Sequence, residues 1–376
     1  MFIVQFGAGN IGRGLIGHIF YKAGYKIIFA DVNKDLISNL RREGRYIVRL
    51  ISDSVREEVI DNFEIFHIEE DREVLIDFLS KASIISTAVG PNIYLSLAPI
   101  IAEGLKRHRR EFVNVIAGEN FYLATTQLRE EISKFINPIP DWIGFPDVEI
   151  ARIVPPGEKG QLTVSVEDYD EFLIDKSSFV GPLLNIPEIE FVDNFELYWR
   201  RKIYTINMSH AILGYLGYLK GYSTVIESIR DSWIREILDG ALKEVIELLS
   251  LLGLGRMSLE EYAKKVVSRL SNEKLGDTVI RVGRDPIRKL GPNDRLVGPA
   301  LECERRGLPY EYLATGIAGA LLFDYLEDEM AIRLQEKIRK EGIDRVLKDI
   351  CNVLPDSSLG KKIKEKYSLL SSIKRR

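Results

Sequence analysis

The chain has 376 residues, 45% of them hydrophobic, enough to fill a sizeable core and most readily divided between two domains. Its formal charge of -4 excludes a nucleic-acid binder that works by general charge neutralisation, so any anion must be met by a local basic cluster. The two cysteines, Cys303 and Cys351, fall outside any CxxC pattern and the four histidines, His18, His67, His108 and His210, are scattered, which excludes a disulfide framework and predicts no metal.

The chain opens directly on a strand-like run, FIVQF at 2–6, with no basic leader and cleavage site, and no apolar run approaches the ~18 residues of a membrane span. A cytoplasmic location without membrane contact is therefore expected. Next comes GAGNIG, which sets Gly7, Gly9 and Gly12 in GxGxxG spacing, with Ala8, Asn10 and Ile11 between them, and then a helix over 11–24. A second strand, KIIFADV at 26–32, carries Asp31 near its end, and a second helix covers 34–43. Each part has a mechanical purpose: a tight turn, close approach of backbone to a pyrophosphate, close strand–helix packing, and an acceptor for ribose hydroxyls. The helix N-terminus adds N–H groups and partial positive charge for the phosphates. Asp31 repels a 2′-phosphate, which favours NAD over NADP, although Asn33 and Lys34 beside it soften that preference. Arg13 either reaches a cofactor phosphate or faces solvent.

Segment 47–68, with IVRLI and NFEIFHI, is expected as an antiparallel excursion, SIISTAV at 83–89 and FVNVIAG at 112–118 as further parallel strands, and 161–174 as another strand or two. The stretch NIPEIEFVDN, 185–194, marks the domain boundary, and its Pro187 is expected to keep out a regular element. Helical periodicity then dominates over 226–253, 258–270, 311–326 and 328–349, and the basic tail at 361–376 reads as a last amphipathic helix. The fold class is thus α/β: an N-terminal Rossmann-type dinucleotide-binding domain, 1–190, and a mainly α-helical domain, 191–376.

Near the start of the second domain, RRKIYTINMSHAILGYLGY at 200–218 is expected as one α-helix. At about 100° per residue, Lys202 at 0° places His210 near 80° and Asn207 near 140°, on a shared face. A carbinol–ketone interconversion needs a base for the hydroxyl proton and donors for the developing alkoxide, and a lysine, an amide and an imidazole supply both. The alternative is a surface lysine, a polar helix residue and a core histidine.

These residues resemble the polyol-specific long-chain dehydrogenases, the mannitol dehydrogenase family, over almost the whole chain. The resemblance rests on FGAGNIGRGLIG at 6–17, FADVN at 29–33, TAVGPN at 87–92, ARIVPP at 151–156, RKIYTINMSHAILGYLGYLKGY at 201–222 and RVGRDPIRKLGPNDRL at 281–296. It implies a metal-free site with Lys202 as general acid/base, Asn207 as oxyanion donor, His210 as orienting group and Asn120, in VIAGENF, as a second oxyanion donor. It implies further that Thr87 borders the cofactor and that Arg281 and Lys289 touch substrate. Arg284, Arg288 and Arg295 add charge there that favours a phosphorylated polyol, since guanidinium binds phosphate in bidentate fashion; the alternative is a basic loop paired with Asp285 and Asp294. The family usually has Asp-Arg where this chain has Ala151-Arg152, with Asp147 or Glu149 as candidates to compensate. The implied activity is NAD-dependent interconversion of mannitol 1-phosphate and fructose 6-phosphate by a monomer or homodimer. Its rivals are action on free mannitol, fructose or a hexuronate, and a non-catalytic NAD-binding sensor.

Overall fold

The computed structural model describes residues 1–52, 54–109, 111–154, 162–169 and 171–374. Pro155 and Pro156 of the ARIVPP run, positions 161 and 170 of the segment expected as strand, and the last two arginines of the tail lie outside the described residues. The chain forms two compact units, Met1–Phe195 and Glu196–Arg376.

In the first unit the strands are β1 (Phe2–Phe6), β2 (Lys26–Asp31), β3 (Tyr46–Ile51), β4 (Val55–Ile60), β5 (Phe63–His67), β6 (Ile84–Thr87), β7 (Val113–Ala117), β8 (Ile143–Gly144), β9 (Val148–Ile150), β10 (Thr163–Glu167), β11 (Phe172–Asp175) and β12 (Ile189–Val192). The main sheet runs β5-β2-β1-β6-β7-β8 with all neighbours parallel. Both of its faces are covered, which is why its strands read as unbroken apolar runs. Ile3, Ile27 and Phe29 pack on one side with Ile16 and Ile19 of the first helix, while Val4, Phe6, Ile28 and Ala30 pack on the other with Leu75, Leu97 and Leu128. Strand order reverses between β1 and β6, which opens a crevice at their carboxyl ends where such sheets bind ligands.

Two departures from expectation have clear causes. Only the first part of 47–68 is antiparallel: β3 and β4 form a hairpin that β10 joins, whereas NFEIFHI supplies β5, parallel to β2 at the sheet edge. The segment holding Pro187 also contains a strand, β12, parallel to β11. Pro187 sits in the turn before it, where no ladder N–H is required of it.

In the second unit, helix Met208–Leu219 is buried nearly all round by helices Val225–Arg230, Ser232–Leu251, Val279–Gly283 and Glu311–Leu321. Gly217 permits the closest approach, since a Cβ there would lie 1.9 Å from the Ser228 hydroxyl. The helix expected over 226–253 is interrupted at Asp231, whose carboxylate caps the second segment through the N–H groups of Trp233 (3.1 Å) and Ile234 (3.0 Å). Likewise 328–349 is divided at Gly342, with φ +84°. The final helix is Ser358–Lys374. Among the described residues no helix is long and apolar enough to cross a membrane.

The first helix crosses its glycine turn so closely that a Cβ on Gly12 would stand 1.9 Å from the Gly7 carbonyl oxygen, whereas one on Gly9 would meet nothing within 4 Å. Gly12→Ala is expected to lower stability by about 1–3 kcal/mol, and Gly9→Ala to leave it within about 0.5 kcal/mol, as read from urea midpoints. Equal midpoints for the two variants would contradict this packing.

Candidate active site

The glycine turn leaves β1 at the switch point. Gly7 donates to Ala30 O at 2.8 Å with φ +86°, and a Cβ there would lie 2.5 Å from Ala88 O, so both conformation and space demand glycine. Gly9 is exposed with open space at its Cα, Asn10 and Ile11 are half-buried, and the helix starts beneath them. That is a cradle of backbone at a helix N-terminus, and it fits a dinucleotide pyrophosphate. Asp31 at the end of β2 accepts from Ala8 N (2.7 Å) and Asn33 N (2.8 Å), holding a carboxylate beside the turn. Lys34 is paired with Glu70 and the Asn33 side chain caps the following helix through Leu36 N (3.0 Å), so neither offsets the charge of Asp31. Arg13 does not face solvent. It is 3% exposed, its Nε donates to Ala8 O at 2.7 Å, and burial pushes its pKa down.

Thr87 is fully buried, and its hydroxyl donates to Glu119 Oε1 at 3.2 Å. Glu119 also accepts from Val89 N (2.8 Å) and Gly90 N (3.0 Å), tying the loop after β6 to the turn after β7, while burial pushes its carboxyl pKa up. Sequence reasoning passed over Glu119, although its neighbour Asn120 was singled out. Asn120 itself is exposed on that turn. Asp147 cannot replace the missing aspartate at 151, because its carboxylate is taken by Thr125 N (2.9 Å), Thr126 N (3.1 Å) and the Thr126 hydroxyl (2.5 Å). Glu149 is fully buried in β9. Arg152 points inward, donating from Nη1 to Gly14 O (2.6 Å) and from Nε to Tyr169 O (3.0 Å).

In the second unit, the α-helix expected over 200–218 is not continuous. Helix Phe195–Lys202 passes into a π-helical turn, Ile203–Asn207, and then into Met208–Leu219. Lys202 is 3% exposed and its Nζ lies 5.2 Å from the centre of the Trp199 ring, one helical turn back. Asn207 is buried, and its amide Nδ2 has no hydrogen-bond partner among the described residues. A buried donor left in this way costs stability unless a ligand takes it. His210 presents Nε2 at 3.7 Å from Asp277 Oδ2, and burial pushes its pKa down to about 4, so the ring is neutral at physiological pH.

Asp277 went unnoticed in the sequence. It accepts the Arg281 guanidinium in bidentate fashion, Nε at 2.7 Å and Nη2 at 2.6 Å, and the i, i+4 spacing of the two residues was the available signal. Two further arginines are also engaged. Arg288 pairs with Asp285 (2.7 Å) and Asp294 (3.5 Å), and Arg295 with Asp294 (2.6 Å), the pairings weighed as the alternative to phosphate binding. Arg284 is exposed. Lys289 is 5% exposed and donates to Val282 O; burial first, then Arg295 and Arg288, push its pKa down to about 7. The segment therefore sets five cations against three carboxylates, a net positive field with one amine poised to titrate. Among the described residues no group of three or more histidine, cysteine, aspartate or glutamate side chains could hold a metal ion.

Comparison with known proteins finds a match for each unit. The family model for the mannitol dehydrogenase Rossmann domain matches residues 1–188, and that for the mannitol dehydrogenase C-terminal domain matches residues 194–372. A mannitol-1-phosphate 5-dehydrogenase of Thermoanaerobacter pseudethanolicus is 39% identical over 379 residues, covering 98% of this chain and 97% of its own. One from Bacillus subtilis is 38% identical over 361 residues, covering 94% and 96%. Two solved structures share the fold at 18% identity: Pseudomonas fluorescens mannitol 2-dehydrogenase in a ternary complex with NAD and D-mannitol (TM-score 0.79, 100% of this chain and 94% of that one) and substrate-free D-sorbitol dehydrogenase (TM-score 0.83, 99% and 94%). With both domain models matched and relatives of this identity over nearly its full length, the chain belongs to the mannitol dehydrogenase family.

Proposed function

We propose that this enzyme is an NAD-dependent dehydrogenase that interconverts D-mannitol 1-phosphate and D-fructose 6-phosphate. The observation that carries the chemistry is the buried, unpartnered Asn207 amide five residues after the buried Lys202. The full-length relatives that share one name support the substrate. NAD, when bound at the glycine turn, supplies the hydride acceptor. In the oxidative direction the Lys202 amine takes the proton of the C5 hydroxyl, and Asn207 donates to the developing alkoxide. Neutral His210 orients the substrate oxygen without adding charge. In reverse, the Lys202 ammonium returns the proton. Lys289 and Arg295, with Arg281, Arg284 and Arg288, supply the field that holds the phosphate. The buried, unpaired Cys303 and Cys351 support a reducing, cytoplasmic setting, and the proposal takes the enzyme as monomer or homodimer.

Lys202→Ala is expected to lower kcat for fructose 6-phosphate reduction by roughly 10²–10⁴-fold with NADH affinity unchanged in a fluorescence titration. Near-normal turnover in that variant would remove the lysine from the mechanism.

A second expectation follows from Lys289, whose pKa near 7 lies below the ordinary lysine value. Below that pH the side chain is an ammonium that attracts phosphate; above it the amine is neutral and the attraction is lost. The phosphate monoester is already a dianion above about pH 6, so the KM for fructose 6-phosphate should climb as pH rises through 7, and Lys289→Arg should flatten that climb. A KM independent of pH between 6 and 9 in the wild-type enzyme would exclude Lys289 from phosphate binding.

A further inference from the structure

In an uninterrupted α-helix, Lys202 and Asn207 stand about 140° apart around the axis, at the two edges of the face they share. A π-helical turn closes its ring at the fifth residue, with roughly 4.4 residues per turn and about 82° per residue. Five such steps from Lys202 bring Asn207 round to about 50°, and three α-helical steps more bring His210 to about -10°. The spread of the three groups shrinks from about 140° to about 60°. The π turn lies over Ile203–Asn207, between the lysine and the amide, and backbone geometry stays helical at both ends, with Lys202 at φ -61°, ψ -51° and Asn207 at φ -71°, ψ -34°.

The wide turn closes where the Met208 N–H reaches back five residues to Ile203 O. Thr205 sits at the middle of the turn, fully buried, and its hydroxyl donates to Arg201 O at 2.6 Å. Hydroxyl bonds of this kind bend helices. The residue bearing that carbonyl is itself pinned, because the Arg201 guanidinium lies over Tyr198 (4.8 Å) and Tyr262 (4.3 Å).

We propose that this π turn, held open by the Thr205 hydroxyl, is what aligns Lys202, Asn207 and His210 on one face, and that Thr205 is a positioning residue for proton transfer. The inference rests on the reading of Lys202 as general acid/base. Thr205→Val keeps shape and branching and removes only the donor, whereas Thr205→Ser keeps the donor. The valine variant should lose tenfold or more in kcat with fructose 6-phosphate, while KM and NADH affinity stay within twofold; the serine variant should remain within threefold of wild type. If valine prevents folding, Thr205→Ala carries the same comparison, with a thermal melt confirming the native state.

A valine variant with a lowered melting temperature and wild-type kcat would make Thr205 structural and overturn the inference. So would a serine variant as slow as the valine one, since the hydroxyl then has no part. Lys202→Ala run in parallel separates the two claims. If it is inactive while Thr205→Val is normal, only the positioning role fails; if it is active, the acid/base reading fails and takes this inference with it.

Discussion

The site depends on one constraint, that a polar group inside an apolar helical unit is costly unless it is paired or meets a ligand. Helix Met208–Leu219 is enclosed on nearly every side, and Lys202, just before the turn that precedes it, and Asn207, at the end of that turn, are both buried. An amide left without a partner there costs about 1–3 kcal/mol, a cost that the proposed role of Asn207 as a donor to substrate would offset. The same burial sets protonation. It keeps His210 neutral and brings Lys289 near neutrality, in each case by desolvation more than by neighbouring charges.

The N-terminal unit meets the same constraint with backbone instead of side chains. Its turn bares N–H groups where the helix begins, and Gly7 and Gly12 are glycine because the carbonyls of Ala88 and Gly7 occupy the space of a side chain. The buried polar side chains around it hold loops. Asp31 fixes the turn through Ala8, Glu119 joins the loops after β6 and β7, Arg13 takes the Ala8 carbonyl and Arg152 the Gly14 carbonyl. Ala151 thus removes a carboxylate at a place where its neighbour Arg152 is structural, and Asp147 is already occupied as a helix cap.

Much of this was legible in the sequence because it depends on local rules. Apolar runs flanking a GxGxxG turn give parallel strands, and Asp31 at the end of the second run gives the acidic position. What could not be read depends on atoms distant in sequence or on a broken period. The π turn is invisible to a fixed step of about 100° per residue, which spread the shared face of Lys202, Asn207 and His210 over about 140°. Arg281, Arg288 and Arg295 each found a carboxylate, and although Asp285 and Asp294 were foreseen as partners, Asp277 was not. β12 escaped notice because Pro187 was read as a breaker when it precedes the strand.

The central claim is that the net positive segment around Lys289 selects a phosphorylated ketose for hydride transfer. The most direct measurement is the initial rate of NADH oxidation with fructose 6-phosphate and with fructose at matched concentrations. The account predicts a large preference for the phosphorylated ketose, weakened competitively by inorganic phosphate. Equal rates with the two ketoses, and no effect of phosphate, would contradict it and return Arg288 and Arg295 to the purely structural pairings they make with Asp285 and Asp294.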